Sequence, residues 1–98
     1  MPYVKCESRC RLDGAIELLC DELRRIAPYD RDGAVVYSIT EIVTRTLKPT
    51  AGWRWKSSKD ARACFTEAGE EFGRRMIVPY EDEAIERNGD IPAFVDEP

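Results

Sequence analysis

The sequence predicts an all-α protein of three main helices, the third long and kinked near Pro79, that assembles as a homo-oligomer. Its apolar residues recur at helical spacing in three stretches, each bounded by proline, glycine or a capping residue. A chain of 98 residues buries only a thin core, and association of copies is a common way to add buried area. We therefore predict one helical domain over residues 1–98 that pairs with itself through the third helix.

The first helix is predicted over residues 13–27. Asp13 is a suitable N-cap, and Arg24 and Arg25 place cations in the last turn, where they suit the helix dipole. Pro28 is expected to stop the helix because it has no N–H to donate. Residues 1–12 are then an N-terminal arm. The predicted apolar face is Leu12, Ile16, Leu19, Leu23 and Ile26.

The second segment runs from Gly33 to Leu47, with Asp32 as its candidate cap. Its valine, isoleucine and threonine residues favour strands, so residues 34–47 are open to either a helix or a strand. The apolar spacing and the length of the segment favour the helix. The predicted stripe is Val35, Val36, Ile39, Ile42, Val43 and Leu47.

The third helix follows a connector over residues 48–56, which is predicted as a loop because it contains Pro49 and Gly52. Ser57 or Ser58 is expected to cap this helix. Its predicted apolar face is Ala61, Cys64, Phe65, Ala68, Phe72 and Met76.

Glycine and proline mark the later part of the third helix. Gly69 and Gly73 predict either the close approach of another backbone or simple tolerance on an exposed face, since glycine costs a helix about 1 kcal/mol relative to alanine. Pro79 either kinks the helix or lies in the first turn of a new one. Asn88-Gly89 predicts its end, which leaves residues 91–98 as an extended acidic tail.

Charge and composition narrow the function. The net charge is −4, with +2 on residues 1–80 and −6 on residues 81–98, which argues against charge-driven binding of nucleic acid. The chain has no histidine, so we expect no enzyme activity, no cofactor and no metal site.

Without a signal-peptide or membrane-spanning pattern, we expect a cytoplasmic protein whose four cysteines are free thiols. A solvated acidic face, rather than a magnesium site, is expected from Glu70, Glu71, Glu81, Asp82, Glu83 and Glu86.

Both ends of the chain resemble a small family of prokaryotic and viral proteins of unknown function. The family begins M-P-Y-[IV], as this chain does with Met1, Pro2, Tyr3 and Val4. Its C-terminal pattern is R-R-x-x-x-P-Y-E-D-x-x-I-x-x-N-G-D. The resemblance implies a helical fold and carries over no activity and no catalytic residue. The matching C-terminal residues are Arg74, Arg75, Pro79, Tyr80, Glu81, Asp82, Ile85, Asn88, Gly89 and Asp90.

Arg74, Arg75 and Tyr80, followed by Glu81 and Asp82, form the densest polar cluster in the sequence. In one interpretation the arginines pair with carboxylates across a helix interface and stabilise packing or a dimer. In the other, two guanidinium groups and a tyrosine ring hold a phosphate and stack a base. The first interpretation is favoured, and the second stays open.

Trp53, Arg54, Trp55 and Lys56 alternate aromatic and basic side chains. Such a pattern can bind nucleotides or single-stranded nucleic acid by stacking and charge. Tryptophan is also enriched at protein interfaces, so one ring can close a small helical core while the other meets a partner. The structural interpretation is favoured again, and the four residues stay candidates for ligand binding.

These observations predict a non-enzymatic binding protein, and an origin in a virus is one expectation. We expect its oligomer to bind a small anionic ligand such as a nucleotide, through Arg74, Arg75, Tyr80 and residues 53–56. The first alternative is an adaptor or inhibitor of a host protein, which uses residues 53–56 and the acidic tail. The second is a weak binder of single-stranded nucleic acid.

Overall fold

The computed structural model describes residues 4–95, and every regular element in that range is helical. The all-α prediction is confirmed, and residues 34–47 form a helix. The motif residues Met1, Pro2 and Tyr3, and the last three residues of the acidic tail, lie outside the described residues. The elements are α1 (Cys6–Arg24), α2 (Pro28–Leu47), α3 (Trp55–Phe72), a π turn (Gly73–Ile77), α4 (Val78–Asn88) and a 3-10 turn (Pro92–Phe94).

Helix α1 starts at Cys6, seven residues before the predicted cap, so the prediction of an arm over residues 1–12 is wrong from Cys6 onward. Glu7 lies in the first turn, where a carboxylate interacts favourably with the helix dipole. The side chain of Arg9 donates from Nε to the carbonyl oxygen of Val4 at 3.0 Å. Asp13 therefore lies inside the helix and caps nothing.

Pro28 begins helix α2 and does not terminate α1, which already ends at Arg24. Proline suits the first helical position because its φ is already helical and its missing N–H would have no partner there. Asp32, the predicted cap, lies more than one turn inside α2. The hydroxyl of Thr40 donates to the carbonyl oxygen of Val36 at 2.8 Å. This bond gives the hydroxyl a partner within the helix, although threonine otherwise favours strands.

Helices α1 and α2 form an αα-hairpin whose apolar burial is concentrated near the connecting residues 25–27. Leu19 and Leu23 are half-buried there, whereas Leu12 and Ile16, earlier on the same face of α1, are exposed. The predicted apolar face of α1 is therefore only partly covered.

The third helix is long and kinked, as predicted, and its irregularity lies just before Pro79. Val78 donates its N–H to the carbonyl oxygen of Gly73, five residues back, in a π turn. Pro79 has no N–H, and its ring crowds the carbonyl four residues earlier, so a wider turn accommodates it. Helix α4 then ends at Asn88, followed by Gly89 with a φ of 83°, which confirms the predicted stop. The prediction of an extended tail over residues 91–98 is wrong at Pro92–Phe94, which form a 3-10 turn.

The chain divides into two compact units, Met1–Ala61 and Arg62–Pro98. The single domain and the homo-oligomer stay predictions. In the part of the chain that the structure describes, Ala61 is the one buried residue, at 8% exposure, and large apolar side chains are exposed on every α-helix. None of the helices among residues 4–95 is long and apolar enough to cross a membrane.

Candidate functional site

Helix α3 begins at Trp55, so Trp55 and Lys56 lie in its first turn and the predicted loop ends at Arg54. Ser57 is the third residue of the helix and not its N-cap. Its hydroxyl oxygen accepts the N–H of Arg54 at 3.0 Å and lies 3.2 Å from the carbonyl oxygen of Arg54. A side chain at this position that bonds back to the residue before the helix is half of a capping box, and it holds Arg54 against the first turn.

The connector turns sharply before α3. Gly52 donates its N–H to the carbonyl oxygen of Pro49 at 3.0 Å, and its φ of 91° lies in the region that favours glycine. Between this turn and the start of α3 lies an open groove of about 260 Å³, which we call the α3 groove. Its lining residues are Pro49, Ala51, Gly52, Arg54, Lys56, Ser57 and Asp60.

Two cations and one carboxylate line the α3 groove. The ammonium of Lys56 donates to Oδ2 of Asp60 at 2.9 Å. This hydrogen bond and the negative charge of Asp60 raise the pKa of Lys56 above its usual value of 10.5. Lys56 is therefore fully charged at neutral pH, and with Arg54 it leaves the groove a net positive charge.

The two tryptophans of residues 53–56 differ in exposure. Trp55 is 79% exposed, and Trp53 is 39% exposed. The ammonium of Lys59 lies 5.7 Å from the centroid of the Trp55 ring, within the range of a cation–π interaction. One face of Trp55 is thus engaged by a cation, and neither Trp55 nor Lys59 is among the lining residues of the α3 groove.

The second predicted cluster lies in the unit of residues 62–98. Arg75 donates from Nε to Oε1 of Glu71 at 3.3 Å, and Arg74 donates from Nη2 to the same oxygen. The side chain of Glu71 is only 18% exposed, so its predicted place in a solvated acidic face is wrong. This geometry supports the ion-pair interpretation of the arginines, within one helix. Tyr80 lies in α4 and is 65% exposed.

The structure brings Arg54 and Lys56 together in one groove, and Arg74 and Arg75 together on one carboxylate. Sequence analysis missed Asp60 as part of the groove and Glu71 as the partner of the arginines. The spacing of Asp60 and Glu71 from these cations in the sequence could have identified them, because residues three or four apart on a helix are neighbours.

Other chemistry in the described residues is sparse. Among residues 4–95 no group of three or more Cys, Asp or Glu side chains is placed to hold a metal ion. Cys6, Cys10 and Cys20 are free thiols.

A family model with the description "Domain of unknown function (DUF6899)" matches residues 1–91 of the chain. No curated protein and no solved structure matches it. The prokaryotic and viral origin suggested by the terminal motifs stays a prediction.

Proposed function

We propose that this chain, which belongs to the family described as a domain of unknown function (DUF6899), is a non-enzymatic binding protein that acts as a homo-oligomer. Its ligand is a small anion such as a nucleotide, held in the α3 groove. The observation that carries the proposal is the placement of Arg54 and Lys56 in one groove beside the first turn of α3.

The start of a helix suits an anion for two reasons. The first N–H groups of a helix have no acceptor within the helix, and the helix dipole makes this end partly positive. Arg54 adds a planar guanidinium, which can donate two parallel hydrogen bonds to a phosphate. Trp55, which lies in sequence between the groove residues Arg54 and Lys56, adds an exposed ring for stacking a base.

The size of the groove supports an oligomer as the binding form. Its volume of about 260 Å³ is below the range of roughly 300–1,000 Å³ that is usual for small-molecule sites. One chain therefore offers room for a phosphate and part of a nucleoside. A second copy is expected to supply the remaining wall.

Arg74, Arg75 and Tyr80 are not part of the proposed groove. Glu71 already neutralises part of the arginine charge, so an anion would have to compete with a carboxylate that is 18% exposed. Charged partners that are partly withdrawn from water are harder to displace than exposed ones.

The test is a titration of the purified protein with ATP and with inorganic phosphate, followed by tryptophan fluorescence and by the melting temperature. We expect both ligands to bind and Arg54→Ala to weaken binding about tenfold, as loss of a charged hydrogen bond does. Arg45→Ala is the matched control, because it removes an exposed guanidinium of α2 that pairs with Glu41. No effect of either ligand at millimolar concentration, or equal effects of the two variants, contradicts the proposal.

A second candidate is an adaptor that binds a host protein, and the 79% exposure of Trp55 favours it. Trp55→Ala would then abolish capture of one protein, while Arg54→Ala would leave capture intact. The anion-binding proposal expects Arg54→Ala to have the larger effect on ligand binding.

A further inference from the structure

One face of helix α2 is apolar and exposed along most of its length. Val36 is 63% exposed and Tyr29 is 87% exposed, and Ile39 and Leu47 are also exposed. Together with the half-buried Val43 they are spaced by seven, three, four and four residues, which places them on one face of a helix, with Asp32 in the first interval. We call these residues the α2 stripe: Tyr29, Val36, Ile39, Val43 and Leu47.

The half-buried residues of α2 on the side of α1 lie on a different side of the helix from the α2 stripe. Arg31, Ala34 and Ser38 are spaced by three and four positions and belong to the hairpin side. The α2 stripe is offset from them, so α1 leaves it largely uncovered. An uncovered apolar stripe of this length marks an interaction surface.

We infer that the α2 stripe docks on the α2 stripe of a second copy of this chain, with the two helices antiparallel. This inference rests on the homo-oligomer of the proposed function but not on its ligand. It places the interface on α2, whereas the sequence had favoured the third helix.

Charge decides the orientation. Asp32 lies within the spacing of the stripe near the N-terminal end of α2, and Lys48 follows its C-terminal end, whereas Arg45 pairs with Glu41 on the hairpin side. Arg31 is directed at the carbonyl oxygens of Arg24 and Ile26, so it is turned toward α1. An antiparallel pair sets the acidic end of one copy beside the basic end of the other. A parallel pair would set Asp32 beside the Asp32 of the second copy, since Asp32 falls within the spacing of the stripe.

The apolar area of the stripe is small for a dimer interface, which argues for weak association. A helix of 20 residues is about 30 Å long. Four partly exposed aliphatic side chains and one exposed tyrosine offer on the order of 400–500 Å² of apolar surface. A stable interface buries about 800 Å² on each partner, of which about 65% is apolar in homodimers. The stripe is therefore close to the lower limit, and the expected dimer dissociates in the micromolar range.

The first test is sedimentation equilibrium over micromolar concentrations, with helicity and melting temperature as checks on folding. We expect Val36→Lys to weaken the dimer at least tenfold, because it places a charge in the stripe of each copy. Leu18→Lys is the matched control, since Leu18 is a 71% exposed apolar residue of α1 outside the stripe, and it should leave the dimer unchanged. A dimer that survives Val36→Lys but is lost on Phe72→Lys overturns the inference in favour of the third helix. A wild-type monomer at every concentration overturns it as well.

The second test addresses orientation by carbodiimide cross-linking of mixed 14N- and 15N-labelled protein. Asp32 and Lys48 are separated within one chain by about 24 Å of helix, so a zero-length link between them must join two copies. We expect that link in the antiparallel dimer, and a dimer without it overturns the orientation. Phosphate titration of the same variants separates the two proposals. Phosphate binding can be absent while the dimer persists, and the dimer can be absent while phosphate still binds.

Discussion

Arg31 and Ile26 tie the two helices of the hairpin together. Nη2 of Arg31 donates to the carbonyl oxygen of Ile26 at 2.9 Å, and the same nitrogen donates to the carbonyl oxygen of Arg24 at 3.0 Å. The last carbonyl groups of a helix lack partners within it, so this guanidinium of α2 satisfies the end of α1. A cation at this end also interacts favourably with the helix dipole.

We expect Arg31→Ala to lower the free energy of unfolding by about 1–3 kcal/mol, since a part-buried charged hydrogen bond to Ile26 and an exposed one to Arg24 are lost. Urea denaturation measures the change. Arg25→Ala is the control, because its exposed pair with Glu22 is expected to contribute less than about 1 kcal/mol. Equal losses for the two variants would show that the bonds of Arg31 do not stabilise the hairpin.

Pro79→Ala is expected to convert the π turn into regular helix. Alanine restores an N–H that can donate to the carbonyl of Arg75, and it removes the ring that crowds this carbonyl. The expected gain in stability is about 1 kcal/mol, because the π turn already absorbs part of the proline's cost. Backbone chemical shifts of Gly73–Ile77 measure the conversion. Pro28→Ala is the control, since a proline at the first helical position should be replaced without gain. Unchanged shifts in Pro79→Ala would mean that the turn has another cause.

The sequence predicted where the helices lie better than where they begin. Apolar spacing identified the helical segments because burial on one face requires it. The starts of α1 and α2 were missed because neither has a side-chain cap: Cys6 follows an extended Lys5, and Pro28 follows Ala27. A search for capping side chains cannot find such starts.

The sequence predicted only part of the candidate site, because the site also depends on a helix start that the sequence does not reveal. The basic and aromatic character of residues 53–56 is visible in the sequence, but the groove depends on the turn at Gly52 and on the true start of α3. The partners of the cations were missed because an ion pair along a helix depends on phase. Once α3 is known to begin at Trp55, the spacing from Lys56 to Asp60 places both on one face.

Asp60→Asn is expected to strengthen anion binding in the α3 groove. Asp60 occupies the ammonium of Lys56, and a bound anion has to compete with it. The amide keeps the shape of the side chain but removes its charge, so affinity for phosphate should rise about two- to fivefold at low salt, and less at high salt. Calorimetry measures the affinity. Glu41→Gln, which breaks the exposed pair with Arg45, is the control and should leave the affinity unchanged. Weaker binding by Asp60→Asn would place Asp60 among the groups that hold the ligand.

The pH dependence of anion binding in the α3 groove should follow the protonation of Lys56. Asp60 raises the pKa of this ammonium above 10.5, so the ion pair is complete below the unfolded-state pKa and is lost as pH rises through the folded one. Sulfate, whose charge is constant in this range, should bind equally from about pH 7 to about pH 9 and more weakly above about pH 10.5. Lys56→Arg is the comparison, because arginine stays charged and should retain binding at high pH. A loss of binding already between pH 7 and 9 would point to a different group.

Gly69→Ala distinguishes the two interpretations of the glycine pair in the third helix. Apart from its own helix backbone, a Cβ added at Gly69 meets no atom of residues 4–95 within 4 Å, and the same holds at Gly73. If the face is merely exposed, alanine should raise the free energy of unfolding by about 0.5–1 kcal/mol through helix propensity. The α2 dimer inferred above requires this outcome with no change in self-association. Gly89→Ala is the opposite control, because the φ of 83° strains any side chain and should cost about 1 kcal/mol. If Gly69→Ala instead weakens self-association, another backbone approaches this face, and the third helix must then contribute to the interface.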